Sequence, residues 1–356
     1  MIGGGVIGLA AAWRLAAEPG TQVTVYDAAT VAREASWAAA GMLAPHHESE
    51  SCDDRWALGV ASLARWPGFA RQLGHDLDFR CAGGLVPALD AEDAAAAQHR
   101  MATLGVGSWI DGGELRRRES AVTTAALGAL WLPAAQVDAR RLGAALADAC
   151  ARNGVAIRSR CQVSVRERRL IVDGAEIAND LTVLAAGAWT PELAELSGIA
   201  LSGEPVKGQM LRLAVADGLL STFIHHPDAY LVARSGQGVV VGATMAWTGF
   251  DKAEDAAAID RLASGARRLV PALASAPIAE TWTGLRPRLH RGRPLIARIR
   301  PDLIIATGHF RNGILLTPIT AEAVAALASG RAPPPEVLPF AFASGSTQVL
   351  SRPASP

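Results

Sequence analysis

Gly3-Gly4-Gly5-Val6-Ile7-Gly8 is the stretch on which the reading of this chain turns. It fits G-x-G-x-x-G, a pattern in which the first glycine permits a tight turn, the second lets backbone approach a pyrophosphate, and the third lets helix and strand pack closely. Taken alone, the match is equally an ordinary glycine turn. Its downstream neighbours give it meaning. Residues 9–17 (LAAAWRLAA) suit a helix, Glu18-Pro19-Gly20 a turn, and residues 22–26 (QVTVY) a short strand that ends at Asp27. A glycine cluster therefore opens a helix, and an acid closes the next strand, where its carboxylate can accept hydrogen bonds from a ribose. Asp27 would also repel a 2′-phosphate, which argues against NADP.

The composition narrows the remaining classes. With 356 residues the chain is long enough for two domains or one domain with a large insertion. Half the residues are hydrophobic and 19% are charged, so a large core forms and wholesale disorder is excluded. Lys+Arg and Asp+Glu both number 34, which removes the electrostatic case for a nucleic-acid or anionic-membrane partner. All the cations except Lys207 and Lys252 are arginines, a compositional bias. The first 13 residues lack side-chain charge, but they also lack the basic start and longer apolar run of a secretory signal. The uncharged run 120–137 is broken by Pro133, Gly128 and Gln136, and reads poorly as a membrane span. The cysteines at 52, 81, 150 and 161 show no zinc spacing and read as reduced thiols of a cytoplasmic protein.

Further along, residues 31–40 read as a second helix ended by Gly41, and 54–74 as a long helix. A Gly83-Gly84 turn opens a new sheet layer, and 91–104 and 112–119 are polar-faced helices. Residues 138–152 form a helix with Asp138 as candidate N-cap, 155–172 hold short strands, and 181–186 (LTVLAA) is an apolar strand of a buried parallel sheet. Between about 203 and 250 short strands alternate with turn residues, the mark of an antiparallel sheet. A helix at 255–270, a strand at 302–307 and a helix from about 318 to 328 follow, and the Pro- and Ser-rich end is expected to be disordered. The chain thus returns to the nucleotide sheet at 138–158, 181–189 and 302–328, where a nicotinamide dehydrogenase would place its catalytic residues in a separate later domain. A late glycine turn at a helix N-terminus can set backbone N–H groups beside a flavin's electron-rich edge, so FAD is the better reading.

Beyond the glycine turn, the stretches AAAGMLAPHHE (38–48), VKGQMLRL (206–213), VVVGATM (239–245), TWTGLRPR (281–288) and GHFRNGILLTP (308–318) carry a resemblance. In that order they resemble the D-amino-acid oxidase superfamily, and within it the glycine oxidases of thiazole formation. The resemblance implies an α/β fold: a Rossmann-like FAD-binding domain (1–80, 137–200, 300–340) interleaved with an α+β substrate domain on a mostly antiparallel sheet (81–136, 201–299), then a tail (341–356). It implies noncovalent FAD, a small amino-acid substrate, dioxygen as acceptor, a homo-oligomer, and hand-off of product to a thiazole synthase. Related sarcosine oxidases tether flavin through a late cysteine, and none follows Cys161 here.

The same resemblance assigns residues. Dinucleotide contacts map to Gly3, Gly5, Val6, Ile7, Gly8, Asp27 and Ala28. Ala35, Ser36, Ala40, Gly41 and Met42 lie against pyrophosphate and isoalloxazine, with Val163 and Gly187 also at the cofactor. His309, Phe310, Arg311, Asn312, Gly313, Ile314 and Leu315 cover the flavin from the C-terminal side, His309 through its backbone. Arg286 holds the substrate carboxylate, Tyr230 hydrogen-bonds it, Arg311 lies near the substrate, and Met245 lines the pocket. The chemistry agrees, because a planar guanidinium is the best bidentate partner of a carboxylate. Arg286 sits in an apolar-flanked segment, while Arg288, Arg291 and Arg293 read as surface charges. Arg311 has the alternative of capping its own loop. Tyr26 reads as sheet core, and His46 and His47 as residues of a solvated loop.

No Ser-His-Asp set or metal cluster stands out, as expected where a cofactor supplies the reactivity. Two other functions fit the same motifs: a D-amino-acid or N-methyl-amino-acid dehydrogenase passing electrons to a quinone, and a noncatalytic flavoprotein-like subunit. One departure from the family pattern stands out. Only Met1 and Ile2 precede Gly3, so most of a central strand is absent, its apolar neighbours are expected to be exposed, and the true start is expected upstream.

Overall fold

The computed structural model describes residues 1–166 and 169–341, so nearly all of the tail, 342–356, lies outside the described residues. The glycine turn sits at the centre of a mainly parallel sheet. Ile2 bridges Tyr26 on one side and Leu184 on the other, both in parallel. Outward from it, Thr24–Asp27 pairs in parallel with Ala156–Ser159. On the far side Thr182–Leu184 pairs in parallel with Leu303–Thr307, and Leu295–Arg300 adds an antiparallel edge. The apolar neighbours of Ile2 are not exposed: Val25, Val183 and Leu184 are all buried.

Three helices, Val6–Ala16, Ala139–Arg152 and Thr317–Ala328, share one apolar core on one face of this sheet. The first is apolar almost all round (VIGLAAAWRLA) and packs against both of the others, so it needs no polar face. The Ala139–Arg152 helix begins where expected, with the Asp138 carboxylate accepting from the amides of Arg140 and Arg141. A small antiparallel sheet (Val163–Arg166, Arg169–Val172, Ala175–Ile177) contributes to a separate apolar cluster with Ile2, Leu184 and Ile305.

The helix expected over 31–40 shrinks to Ala35–Ala38. The segment bonds to the glycine turn instead: the Ala32 amide donates to the Gly4 carbonyl, and Ser36 Oγ, within the short helix, accepts from the Val6 amide at 3.0 Å. Gly41 then turns sharply at φ +88, where a Cβ would lie 1.8 Å from the Val137 carbonyl oxygen.

The second layer is an eight-stranded sheet. Its order is Ile278–Leu289, Gly203–Leu213, Gly238–Gly242, Tyr230–Arg234, Phe223–His225, Gly84–Ala88, Gly128–Leu132, Ser108–Asp111. Every pairing is antiparallel except Phe223–His225 with Gly84–Ala88. The helix Ala256–Leu269 covers one face and fills its own core with Leu262, Ala266 and Leu269. Ala38, Ala40, Met210, Val232, Val240 and Trp282 form a further cluster that joins the sheet to the 35–44 segment. Trp282 Nε1 donates to the Ala38 carbonyl at 3.0 Å. Beside it the Arg140 guanidinium lies over the Trp37 ring and is held bidentately by Glu280 at 2.9 and 3.0 Å. These contacts fix the two layers against each other, and the cavity lies where they meet.

Candidate active site

A cavity of about 520 Å³ runs from the glycine turn to the Gly203–Leu213 and Ile278–Leu289 strands. At one end Gly3, with φ +98, passes so close to the next strand that a Cβ would lie 2.4 Å from the Ala185 carbonyl oxygen. Asp27 accepts from the Gly4 amide at 2.7 Å and the Ala29 amide at 2.8 Å. An ionised carboxylate retains lone pairs beyond those two bonds, so Asp27 is fixed in place and still able to accept from a ribose hydroxyl. Gly3, Gly5, Val6, Ile7, Asp27, Ala28, Ala35, Ser36, Ala40, Gly41, Met42, Val163 and Gly187 all line the cavity. Gly8 does not. Its absent side chain lets the helix start rest on the turn, since a Cβ there would lie 1.9 Å from the Gly3 carbonyl oxygen. Tyr26, expected in the sheet core, is at the cavity wall.

The opposite wall comes from the loop after Leu303–Thr307. His309, Phe310, Arg311, Asn312, Gly313 and Ile314 line the cavity around a turn in which Phe310 takes φ +50. Leu315 is excluded from it: the residue is buried, and its carbonyl accepts from Ser62 Oγ at 2.6 Å and Trp66 Nε1 at 2.9 Å.

The far end is polar and narrow. Gly208 and Gly284 face each other across the Gly203–Leu213 and Ile278–Leu289 strands. A Cβ on Gly208 would lie 2.2 Å from Arg286 Nη1, so this glycine is the seat of the guanidinium. A Cβ on Gly242 would lie 2.4 Å from the Tyr230 hydroxyl oxygen, so a second glycine seats the phenol. Arg286 Nη1 donates to the Thr244 carbonyl at 3.1 Å, and the guanidinium and the Tyr230 phenol lie close enough to act on each other electrostatically. Burial lowers the Arg286 pKa from its ordinary value and raises that of Tyr230. With arginine's pKa starting so high, the pair is a cation beside a neutral phenol, both able to donate to a carboxylate.

Three expectations are corrected here. Met245 is 48% exposed and lies outside the cavity lining, although the next residue, Ala246, still bridges Lys207 on the Gly203–Leu213 strand. Met210, from the neighbouring strand, lines the cavity near Tyr230 instead, with its sulfur 3.7 Å from the hydroxyl. His46 and His47 are buried rather than solvated, and neither lines the cavity. Trp56 Nε1 donates to His46 Nδ1 at 3.1 Å, and the His47 ring packs 5.0 Å from that of Phe223. Arg311 does not cap its own loop: it pairs with Glu48. Glu48, Gly208 and Met210 do not stand out from the sequence, although each lies inside one of the stretches that carry the resemblance.

Two histidines around the site predict an acid sensitivity. His309 is buried with Nε2 3.1 Å from Thr320 Oγ1, and burial pulls its pKa down to about 4. His225 is pulled down to about 3, by burial first and then by Arg311 and Arg100. Between about pH 4 and 6.5 the unfolded chain therefore binds protons that the folded chain refuses, so stability falls as pH drops through that window. The expected slope is about 1.4 kcal/mol per pH unit for each such group. Thermal unfolding between pH 6.5 and 4.5 measures it, and His309→Gln is expected to flatten the curve.

A family profile described as DAO, FAD dependent oxidoreductase, matches residues 1–327. The chain belongs to this family. Glycine oxidase of Geobacillus kaustophilus is 32% identical over 96% of this chain and 95% of its own. The bifunctional protein ThiO/ThiG of Synechocystis is 33% identical over 92% of this chain and 51% of its own. The crystal structure of the Geobacillus kaustophilus glycine oxidase superposes with a TM-score of 0.89, covering 96% of this chain and 97% of that one. As a DAO family member the chain is an FAD-dependent oxidoreductase. Its cavity fits that cofactor: a glycine turn with no room for side chains, an acid at the end of the next strand, and an elongated space leading away from both. Among the described residues no helix is long and apolar enough to cross a membrane.

Proposed function

We propose that this enzyme oxidises glycine or a comparably small amino acid to the imine, which hydrolyses to an oxo acid and ammonia, with hydrogen peroxide as the second product. One observation carries the reading: the cavity that begins at the glycine turn ends on Arg286 and Tyr230, a cation and a phenol seated by two glycines. The cofactor-binding set named from sequence belongs to the same proposal, with Val6, Ile7, Asp27 and Ala28 on the dinucleotide and residues 309–314 against the flavin. So does the division into an FAD-binding and a substrate domain, supported by the separate cores of the two layers.

In the reaction Arg286 binds the substrate carboxylate through its fork of N–H groups, and Tyr230 donates a further hydrogen bond to it. Gly208 and Gly242 leave the room in which these two groups pack against the strands, and the carboxylate they bind fixes the direction of the Cα–H bond. Bound FAD supplies the acceptor for the Cα hydride and, with dioxygen, the route to peroxide. Among the described residues His309 is the histidine that lines the cavity, and its Nε2 is engaged with Thr320, while His46, His47 and His225 lie outside the lining. Hydride loss requires the amine in its neutral form, because its lone pair stabilises the developing iminium.

The Synechocystis relative, whose name joins ThiO to ThiG, supports placing the product in thiamine thiazole synthesis with hand-off to a thiazole synthase. Four free cysteines support a reducing, cytoplasmic setting, and a homo-oligomer belongs to the same proposal. The test is peroxide release by the purified yellow protein on glycine, sarcosine, D-alanine and D-proline. Glycine or sarcosine is expected to lead. Turnover seen only with an artificial dye, without peroxide, would instead assign the enzyme to the dehydrogenases.

A further inference from the structure

Two arginines line the substrate end of the cavity, and their surroundings differ. Arg286 is in no ion pair among the described residues, its Nη1 donating to a backbone carbonyl. Arg311 is gripped by Glu48 through two contacts, Nη2 to Oε1 and Nε to Oε2, each 2.9 Å. The Glu48 side chain is only 11% exposed, against 38% for Arg311. Both residues face the cavity. Fork-to-fork pairing of this kind uses up the strongest donors of the guanidinium and cancels its charge. The three charges also act on one another, Glu48 strengthening and Arg311 weakening the hold of Arg286 on its proton. The substrate end therefore presents one uncompensated cation, although its wall contains two.

We propose that Glu48 is a specificity-determining residue acting through Arg311: by masking that guanidinium it restricts the site to amino acids with a single carboxylate and turns away those with two. The inference rests on the small-amino-acid reading above. A substrate with a second carboxylate could reach Arg311 only by displacing Glu48. That exchange swaps one ion pair for another and strands a mostly buried carboxylate beside a new negative charge, so it gives no gain. With the charge of Glu48 removed, Arg311 becomes a free donor, and a charge-assisted bond to a second carboxylate is worth about ten- to a hundredfold in affinity.

The experiment uses the FAD-loaded full chain and reads binding as a shift of flavin absorbance. The probes are acetate and malonate, one carboxylate against two, neither of which turns over. In Glu48→Gln the preference for malonate over acetate is expected to rise at least about tenfold over the parent protein. Adding Arg311→Gln is expected to erase that rise, which a merely structural role for Glu48 would not produce. Glu48→Ala is measured alongside, with the same rise expected, so that poor folding of one variant does not decide the matter. An unchanged ratio in these variants, including no response to either probe, overturns the proposal, and so does a rise that survives loss of Arg311. Peroxide release from glycine by the parent is recorded separately. Its absence removes the glycine reading, while the ratio still decides the role of the pair.

Discussion

Arg286→Met is expected to lower kcat/KM for glycine by about three orders of magnitude, with most of the loss in KM. Truncating one partner of a desolvated, hydrogen-bonded charge pair costs about 2–5 kcal/mol, because the surviving charge is left without a partner. Here the survivor is the substrate carboxylate, and the nearest remaining donor is the Tyr230 hydroxyl, which cannot replace a cation. Arg286→Lys restores the charge but not the fork, and an ammonium on a flexible stem has to find its place over Gly208. It is expected to recover only part of the loss. Steady-state peroxide release at several glycine concentrations measures both variants. Flavin content serves as the control, since Arg286 sits at the other end of the cavity from the glycine turn. A KM within about twofold of the parent value would show that the carboxylate is clamped elsewhere.

The second large effect is structural. Gly8→Ala places a methyl group 1.9 Å from the Gly3 carbonyl oxygen, where non-bonded carbon and oxygen need more than 3 Å. Neither atom belongs to a flexible side chain, so the start of the Val6–Ala16 helix must move away from the turn. Overpacking of this kind costs about 1–3 kcal/mol in a core, and the backbone that would cradle pyrophosphate is displaced as well. The expected protein is colourless and melts several degrees lower. Gly5→Ala is the internal comparison: its nearest neighbour would be Ser36 Oγ at 3.1 Å, a side-chain atom that can adjust. That variant is expected to stay yellow with weakened FAD binding. Absorbance at the flavin bands, with and without added FAD, distinguishes the two.

The strand–helix grammar of the chain was legible because it depends on local pattern. The apolar run at 182–184, the Asp138 cap and the glycine turn each state their role within a few residues. The segment 31–40 misled because its helical composition is overruled by partners far away in sequence, the Gly4 carbonyl and the Val6 amide. Met245 was misplaced because it lies past the regular strand Gly238–Gly242, where the two-residue alternation no longer tells which way a side chain points. His46 and His47 look like surface residues in any composition count, yet the wall of the cavity folds over them. Glu48 carries no signal of its own, and its importance appears only once Arg311, 263 residues later, is placed beside it.

The cavity is lined by residues from 2 to 314, contributed in eight or more separate stretches. A chain still emerging from the ribosome carries the glycine turn long before the last wall, 306–314, is made. Until then the parallel sheet lacks Leu303–Thr307, and the helix Val6–Ala16 lacks the Thr317–Ala328 helix that covers it. The complete cavity is thus available to a cofactor only after residue 314 has been added.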